Sequence, residues 1–238
     1  MGQAGIKHSL NKPFSDNNCG ALLSEIGAII SLLPSKNLKI LDVGCGSGWT
    51  SAFFAKKGHN VLGIDISKDF IKLANINKKR HNLPNLKFQE KNAEKMQFNS
   101  EFDCVTFIDS LHHCINIKKV LMNAYDSLKK EGICILSEPG LFHSKSPNSI
   151  KAMKEYGVLE KEIPPHLSKK IGKKIGFKNI KVYSRAKYLN FCLYTSNQNL
   201  PNFKIIRKLF RFHFIRKLAS IFTILFYKRY DGIVFMQK

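Results

Sequence analysis

Long apolar runs, paired cysteines and acidic residues are all scarce in this 238-residue sequence. The longest apolar stretch, Leu218 to Tyr227, has 10 residues, about half of what a helix needs to span a bilayer, so no transmembrane helix is expected. Residues 1–18 show no apolar core of a signal peptide, which predicts a cytoplasmic chain. The six cysteines form no C-x-x-C pair, so neither a redox motif nor a metal site is expected.

Basic residues outnumber acidic ones, 39 against 17. Residues 139–238 carry 21 basic and four acidic side chains, whereas residues 1–138 carry 18 and 13. This imbalance favours an anionic partner for the second half of the chain. Because lysine, asparagine and isoleucine are abundant throughout, a compositional bias without any partner is the alternative.

Short apolar runs alternate with segments of helical periodicity. Apolar strands separated by helices predict a parallel sheet covered on both faces, and right-handed crossovers give a doubly wound α/β fold. Strands are predicted at residues 38–44, 60–65, 86–90, 103–108, 133–138, 179–183 and 232–236, and helices at residues 18–33, 48–57, 69–79, 116–130 and 166–175.

The pattern indicates one domain with an insertion near its end. Its parts are a leading helix at 1–37, a core at 38–140, a loop, helix and strand at 141–183, a basic aromatic insert at 184–230 and a final strand at 231–238. A bare loop as long as the insert would be unusual, so we expect a cap.

A glycine cluster follows the first predicted strand. Asp42 ends that strand, and Gly44, Gly46 and Gly48 lead into a helix. Glycine lets the backbone turn sharply and approach a ligand, and a helix start offers unpaired N–H groups. A dinucleotide fingerprint would need glycine where Trp49 stands.

Residues 42–48, DVGCGSG, resemble motif I of class I S-adenosylmethionine methyltransferases. EFDCVTFIDSLHH at 101–113 resembles motif IV, and LKKEGICILSEPG at 128–140 resembles the turn and strand that follow it. The chain also looks like uncharacterised bacterial members of this superfamily. The resemblance implies a Rossmann-like fold with a mostly parallel seven-stranded sheet, and S-adenosylmethionine as cofactor.

The resemblance also implies roles for individual residues. Asp65 would accept both ribose hydroxyls, Ile66 would pack on adenine, and the loop from Asn92 would contact the adenine edge. Asn92 stands where many relatives have aspartate, so its amide would bond without a charge. The full set of implied cofactor-binding residues is Asp42, Gly44, Cys45, Gly46, Gly48, Asp65, Ile66, Asn92, Ala93, Glu94 and Asp109.

Methyl transfer from a sulfonium needs donor and acceptor held in line, and a hydroxyl acceptor must also lose its proton. Groups for this task are expected at the carboxyl ends of the fourth and fifth strands. The catalytic candidates are His112, His113 and Glu138, with Asp109, Ser110 and His143 nearby in sequence. Each has a structural alternative, such as a buried histidine with satisfied hydrogen bonds.

The insert mixes aromatic and basic residues. On a helix, Phe203, Ile206, Phe210 and Phe214 would share one side, and Lys204, Lys208 and Arg211 another. We expect a cap over the sheet and the acceptor cleft. Peripheral contact with an anionic membrane at its inner face is the second interpretation, and a nucleic acid surface is the third.

The sequence therefore predicts an enzyme that methylates a small-molecule, glycan or lipid-linked acceptor at oxygen. One alternative is an RNA methyltransferase, although residues 108–111, IDSL, differ from the Asn/Asp-Pro-Pro-aromatic signature of enzymes that methylate base amines. Another is a non-catalytic module that binds the cofactor and docks on an anionic surface. The patterns leave the acceptor and the oligomeric state open.

Overall fold

A seven-stranded sheet forms the centre of the molecule, and the computed structural model describes residues 2–35, 37–194 and 208–238. The strands are β1 Lys39–Val43, β2 Asn60–Asp65, β3 Leu86–Glu90, β4 Phe102–Ile108, β5 Leu128–Ser137, β6 Lys178–Ser184 and β7 Gly232–Gln237. Their order is β3-β2-β1-β4-β5-β7-β6. The first five strands pair in parallel, and β7 runs antiparallel to β5 and β6.

Helices cover both faces of this sheet. They are α1 Gln3–Leu10, α2 Cys19–Ser31, α3 Trp49–Lys56, α4 Lys68–Arg80, α5 Ile117–Ser127, α6 Pro147–Tyr156, α7 Pro165–Ile175, α8 Ala186–Tyr194 and α9 His213–Leu225. One core cluster contains Ile29 of α2 and Phe54 of α3, and the other contains Leu121 of α5. Among the described residues, none of these helices is long and apolar enough to cross a bilayer.

The predicted doubly wound fold is confirmed, and each predicted strand is present. The fourth crossover differs in detail, because α5 ends at Ser127 and the prediction of helix through Lys130 is wrong. Leu128 is fully buried and pairs with Phe102, so these residues extend β5 instead.

Helix α6 lies inside the segment that we predicted to be a loop. Its signals are local: Ser146 accepts a hydrogen bond from Ser149 N (3.1 Å), Pro147 takes the first helical position, and Gly157 ends the helix at φ 63°. These are the usual capping residues of a short helix. Their presence in a loop rich in proline and serine concealed them.

The insert contains helices, but not with the predicted face. Phe212 is extended (φ −86°, ψ 119°) and starts α9, so the expected continuous side through Phe210 and Phe214 is wrong. Phe203, Lys204 and Ile206 lie outside the described residues. Helix α8 packs on the leading helix α2, where Asn190 Nδ2 donates to Ser24 Oγ (2.8 Å).

Candidate methyltransferase site

Each glycine of the loop after β1 has a positive φ: 73° at Gly44, 52° at Gly46 and 76° at Gly48. A Cβ at Gly44 would clash with Ser110, and one at Gly48 would clash with Phe88. A Cβ at Gly46 would meet nothing within 4 Å. Gly44 and Gly48 are therefore required by packing, whereas Gly46 faces open space that a ligand can fill.

Hydrogen bonds from the neighbouring strand fix this loop. Gly44 N and Cys45 N donate to Ile64 O at 2.8 and 3.0 Å. Gly46 N donates to Asp65 Oδ2 (2.9 Å), and Ser67 N donates to Asp65 Oδ1 (2.8 Å). Asp65 thus links the loops that follow β1 and β2. Each of its oxygens retains a lone pair for a further donor such as a ribose hydroxyl.

Two helices hold the outer turn of the glycine loop at Ser47. Its hydroxyl donates to Ser9 O of α1 (2.7 Å), and its carbonyl accepts from Asn77 Nδ2 of α4 (3.0 Å). The sequence patterns did not predict α1. Its single buried residue is Ser9, so apolar periodicity gave no signal there.

Asp42 lies beneath the loop and is 1% exposed. It accepts hydrogen bonds from Thr50 Oγ1 (2.7 Å), Ser51 Oγ (2.6 Å) and Thr106 Oγ1 (2.9 Å). Burial raises the pKa of this carboxyl, and the three hydroxyls oppose that rise. The geometry differs from the predicted cofactor contact, because Asp42 is buried beneath the loop, whereas Asp65 is only partly buried. Asp42 positions the loop.

Of the residues predicted to lie beside adenine, some have groups free to meet a ligand and one bonds within the protein. Ile66 presents an apolar side chain that is 68% exposed, as packing on an adenine ring requires. Asn92 Oδ1 accepts from Glu94 N (2.8 Å), which leaves its amide NH₂ as the donor. Glu94 Oε1 instead accepts from Ile115 N (2.7 Å) and anchors the segment before α5. The geometry therefore favours Ile66 and Asn92 over Glu94 as ligand contacts.

S-adenosylmethionine fits the residues that surround this loop. The open space at Gly46, the exposed Ile66 and the two acceptor oxygens of Asp65 provide a backbone cradle, an apolar surface and a diol acceptor. Cys45 is buried with its Sγ toward Gly63 of β2, and its backbone N–H donates to Ile64 O, so this residue fixes the shape of the loop. Ala93 lies in the short helix that Asn92 caps.

Asp109 lies at the end of β4 with a positive φ of 48°. Its Oδ1 accepts from Arg185 Nη2 at 3.2 Å. Arg185 is fully buried and also pairs with Glu25 Oε1 (2.7 Å) and Asp231 Oδ1 (3.3 Å). Asp109, predicted to bind the cofactor, is thus tied to an arginine that the sequence patterns missed.

His112 and Glu138 form a buried pair at the carboxyl ends of β4 and β5. The distance from His112 Nδ1 to Glu138 Oε2 is 2.7 Å. Glu138 also accepts from the backbone N–H groups of Ser110 (2.9 Å), Leu111 (2.9 Å) and His112 (3.2 Å). Burial alone would lower the pKa of His112, but Glu138 and neighbouring carboxylates raise it, and the net direction is upward.

Two more imidazoles and one more carboxylate lie beside this pair. His143 Nε2 is 2.6 Å from Glu160 Oε2, and His112 Nε2 is 3.7 Å from the same oxygen. His113 is half-exposed, and its Nδ1 lies 2.5 Å from Leu159 O. The structure therefore brings His112, Glu138 and His143 together, adds Glu160, and places His113 at the margin.

Comparison with known proteins identifies the fold and the chemistry. A family model described as "Methyltransferase domain" matches residues 34–187, well over half of the chain. The chain belongs to this family. The predicted class I superfamily, the methyltransferase class and the S-adenosylmethionine cofactor are confirmed.

Relatives of this methyltransferase are similar over the core alone. The ubiquinone biosynthesis O-methyltransferases of Rickettsia typhi and Rickettsia prowazekii are 32% and 29% identical over 100 and 136 residues. These stretches cover 42% and 57% of this chain but 40% and 51% of the relatives, so the chain spans about half of their length or less. A solved S-adenosylmethionine-dependent methyltransferase from Mesorhizobium loti shares the fold, with a TM-score of 0.61, 15% identity and coverage of 90% of this chain and 98% of that one.

Replacing Gly46 with valine is expected to abolish cofactor binding. The branched side chain would occupy the open space at φ 52°, and we expect the affinity for S-adenosylmethionine to fall by about 100-fold or more, roughly 2.7 kcal/mol. Calorimetry measures this. Gly58→Val is the matched control, because Gly58 also has a positive φ (99°) but lies before β2 at the opposite end of the sheet. Unchanged binding by a folded Gly46→Val protein contradicts the assignment.

Asp65→Ala is expected to weaken S-adenosylhomocysteine binding about 10- to 100-fold, because hydrogen bonds to a charged acceptor contribute about 1.5–3 kcal/mol. The variant also loses the bonds from Gly46 and Ser67, so a second ligand isolates the ribose contact. Wild type should bind the 2′-deoxy analogue more weakly than the parent ligand. Asp65→Ala should bind the analogue and the parent ligand with equal affinity. The same loss for both proteins would show that Asp65 fixes the loop without touching the ribose.

Proposed function

We propose that this enzyme transfers the methyl group to a hydroxyl oxygen of a small-molecule, glycan or lipid-linked acceptor. The observation that carries the proposal is the buried His112–Glu138 pair, at the sheet edge where open α/β folds bind their ligands. The curated relatives act at oxygen by name, which supports the same choice of atom.

The cofactor would be held by the backbone at Gly46, the carboxylate of Asp65, the side chain of Ile66 and the amide of Asn92. When bound, S-adenosylmethionine supplies a methyl group already activated by its sulfonium. The protein must then position the acceptor and help its oxygen become a nucleophile. Ser110 abuts Gly44, so the segment that carries His112 adjoins the cofactor loop directly.

Glu138 sets the state of the His112 ring. Glu138 accepts hydrogen bonds from three backbone N–H groups, and the same carboxylate accepts another from the Nδ1–H of the His112 ring. This leaves Nε2 as the ring nitrogen available for chemistry. The same carboxylate–histidine arrangement orients imidazoles in many hydrolytic enzymes. We propose that Glu138 positions His112 and that His112 acts on the acceptor side.

The side chains that α9 exposes support the predicted contact with an anionic membrane. Buried positions of this helix are polar, namely Arg216, Ser220 and Thr223. Large apolar side chains point outward at helical spacing, and their exposed fractions are about half or more: Phe214 66%, Leu218 49%, Ile221 51%, Phe222 53% and Leu225 52%. An ordinary surface helix has the reverse arrangement. We propose that this face enters the headgroup region of a membrane.

The basic residues around α9 favour an anionic lipid surface as the partner of its exposed apolar face. Residues 208–230 contain no acidic side chain, and Lys208, Arg211, Lys217 and Arg229 are exposed around α9. An amphipathic helix with this composition binds anionic lipid through its apolar side and its cations together. A nucleic acid would leave the apolar side uncovered, which makes RNA the weaker alternative.

Turnover is expected to depend on His112 and Glu138 more than cofactor binding does. We expect His112→Ala and Glu138→Gln to lower the rate of transfer about 10²- to 10⁴-fold, the usual contribution of a positioned acid–base group. Affinity for S-adenosylmethionine should stay unchanged. Formation of S-adenosylhomocysteine with a panel of phenols, sugars and lipid-linked alcohols measures the rate.

His113→Ala is the control, since His113 lies at the margin of the pair, and its effect should be smaller. Wild-type rates in all three variants would show that positioning alone drives the transfer. Labelled methyl groups should enter the lipid, glycan or small-molecule fraction of a cell extract. Label confined to RNA would contradict an acceptor of these classes.

Membrane contact is tested by sedimentation with vesicles. Wild type should co-sediment with vesicles of phosphatidylcholine and phosphatidylglycerol but not with phosphatidylcholine alone. Raising salt should release it, as the Debye length falls from about 10 Å at 0.1 M to about 3 Å at 1 M. Replacing Lys208, Arg211, Lys217 and Arg229 with glutamine should remove most binding, at about 1 kcal/mol per cation.

The apolar side separates a lipid surface from other partners. Phe214→Ser with Phe222→Ser should impair vesicle binding, whereas Phe14→Ser, at an exposed phenylalanine outside this helix, should not. If wild type stays in the supernatant and elutes as a dimer that Phe214→Ser dissociates, the face binds a second copy of the chain and the membrane proposal is wrong.

A further inference from the structure

Three potential metal ligands converge at the acceptor edge, although we expected no metal site from the sequence. They are His112 after β4, His143 after β5, and Glu160 in the segment before α7. One ligand atom from each lies within 4.8 Å of the other two. Because the three residues are far apart in the chain, they form no sequence motif that would predict a metal site.

The ligand atom of His112 is already oriented. Glu138 binds Nδ1 of its ring, so the lone pair of Nε2 is directed away from Glu138, and Nε2 lies 3.7 Å from Glu160 Oε2. Metal-binding histidines almost always donate their other ring N–H to a carboxylate, a carbonyl or water, which fixes the tautomer and raises the basicity of the ligand. Glu138 fills this supporting role.

The surroundings also suit a positive ion. His112 and Glu160 are nearly buried, and two carboxylates, Glu138 and Glu160, lie among the imidazoles. Carboxylates beside imidazole rings are a combination of groups that suits a divalent cation. Residues 139–238 have only four acidic side chains, and Glu160 is the one placed among these histidines.

We propose that His112 Nε2, His143 Nε2 and the carboxylate of Glu160 bind one divalent transition-metal ion, with Zn²⁺ as the representative. Two imidazoles and one carboxylate suit zinc and its neighbours, whereas Mg²⁺ and Ca²⁺ prefer oxygen ligands. Zinc bonds of about 2.0–2.1 Å place tetrahedral ligands roughly 3.3 Å apart, near the 3.7 Å between His112 Nε2 and Glu160 Oε2. His143 Nε2 and Glu160 Oε2 are hydrogen-bonded at 2.6 Å, and binding of the ion would replace this bond and move the two atoms apart. Three protein ligands leave a fourth position open.

The open fourth position would let the hydroxyl of the acceptor bind the ion. This role of the ion rests on the proposed function. A hydroxyl of the acceptor that binds a divalent cation has a lowered pKa and releases its proton to solvent more readily. The oxygen is then a better nucleophile toward the methyl group. With the ion bound, the Nε2 lone pair of His112 coordinates it, so His112 promotes loss of the acceptor proton through the ion and not as a direct base, and Glu138 orients His112.

Zinc titration tests the site without any acceptor. The full-length chain, carrying no polyhistidine tag, is treated with EDTA and titrated with Zn²⁺ by calorimetry, and retained metal is counted by mass spectrometry after gel filtration. We expect one equivalent of Zn²⁺ in wild type. Glu138→Gln should weaken the affinity about 10- to 100-fold, as loss of a carboxylate behind a ligand histidine does.

Direct ligand variants provide the sharper comparison. His143→Ala and Glu160→Gln should lose at least as much affinity, whereas His166→Ala, at an exposed histidine of α7, should bind Zn²⁺ like wild type. Glu160→Gln is nearly isosteric and can still accept a hydrogen bond from His143, so a hydrogen-bonded cluster without metal would tolerate it. Wild type without stoichiometric zinc, or equal affinity in wild type and both variants, overturns the proposal.

Substitution with Co²⁺ adds a spectroscopic readout. Imidazole and carboxylate ligands should give a visible absorption band in wild type that is absent in His143→Ala. Affinity for S-adenosylmethionine should not change when the metal is removed, but transfer to a hydroxyl probe should fall. Equal transfer with and without bound metal overturns the catalytic role of the ion. Failure of every hydroxyl probe would count against the proposed function, while the zinc titration still decides the site.

Discussion

The buried carboxylate of Asp42 is the constraint on which the cofactor loop depends. Three hydroxyls donate to it, and they join β1, β4 and the first turn of α3 around one carboxyl group. A buried carboxylate without partners would cost several kcal/mol, so any movement of the loop that broke these bonds would be opposed strongly. Gly46 therefore faces open space in a fixed geometry, and Asp65 can link the loop to β2 from the other side.

A second buried charge connects the C-terminal half to the site. Arg185 pairs with Glu25 of α2, with Asp109 after β4 and with Asp231 before β7. Glu25 and Asp231 are buried with it, and removing one partner of such a buried pair typically costs about 3–5 kcal/mol, because the remaining charge is left uncompensated. The leading helix, the insert and the acceptor edge are thus held together through one guanidinium group, and Asp109 stands next to Ser110 and the segment of His112.

Apolar periodicity and the glycine cluster predicted the sheet, the main helices and the loop that cradles the cofactor, because those features are local in sequence. Partners separated by long stretches of chain were not predictable in the same way. Glu160 gave no signal beyond being one of few acids in its half of the chain, and Arg185 resembled any other basic residue. Asp42 was predicted at the correct strand end, but its three hydroxyl partners were not, since a pattern shows position but not which atoms a carboxylate faces.

The positions of the acidic residues show where the basic excess of the second half is concentrated. Compositional bias accounts for many lysines, but it does not account for where the four acids of residues 139–238 lie. Glu160 lies among the histidines, Glu162 accepts from Ser144 (3.0 Å), and Asp231 pairs with Arg185, while only Glu155 pairs with a lysine on the surface. Acids are thus kept where an interior partner requires them, and the outer surface around the apolar face of α9 stays cationic. Residues 208–230 thus contribute no acidic side chain to the surface around α9, as the proposed contact with an anionic lipid surface requires, while Glu160 lies with the histidines of the proposed acceptor site.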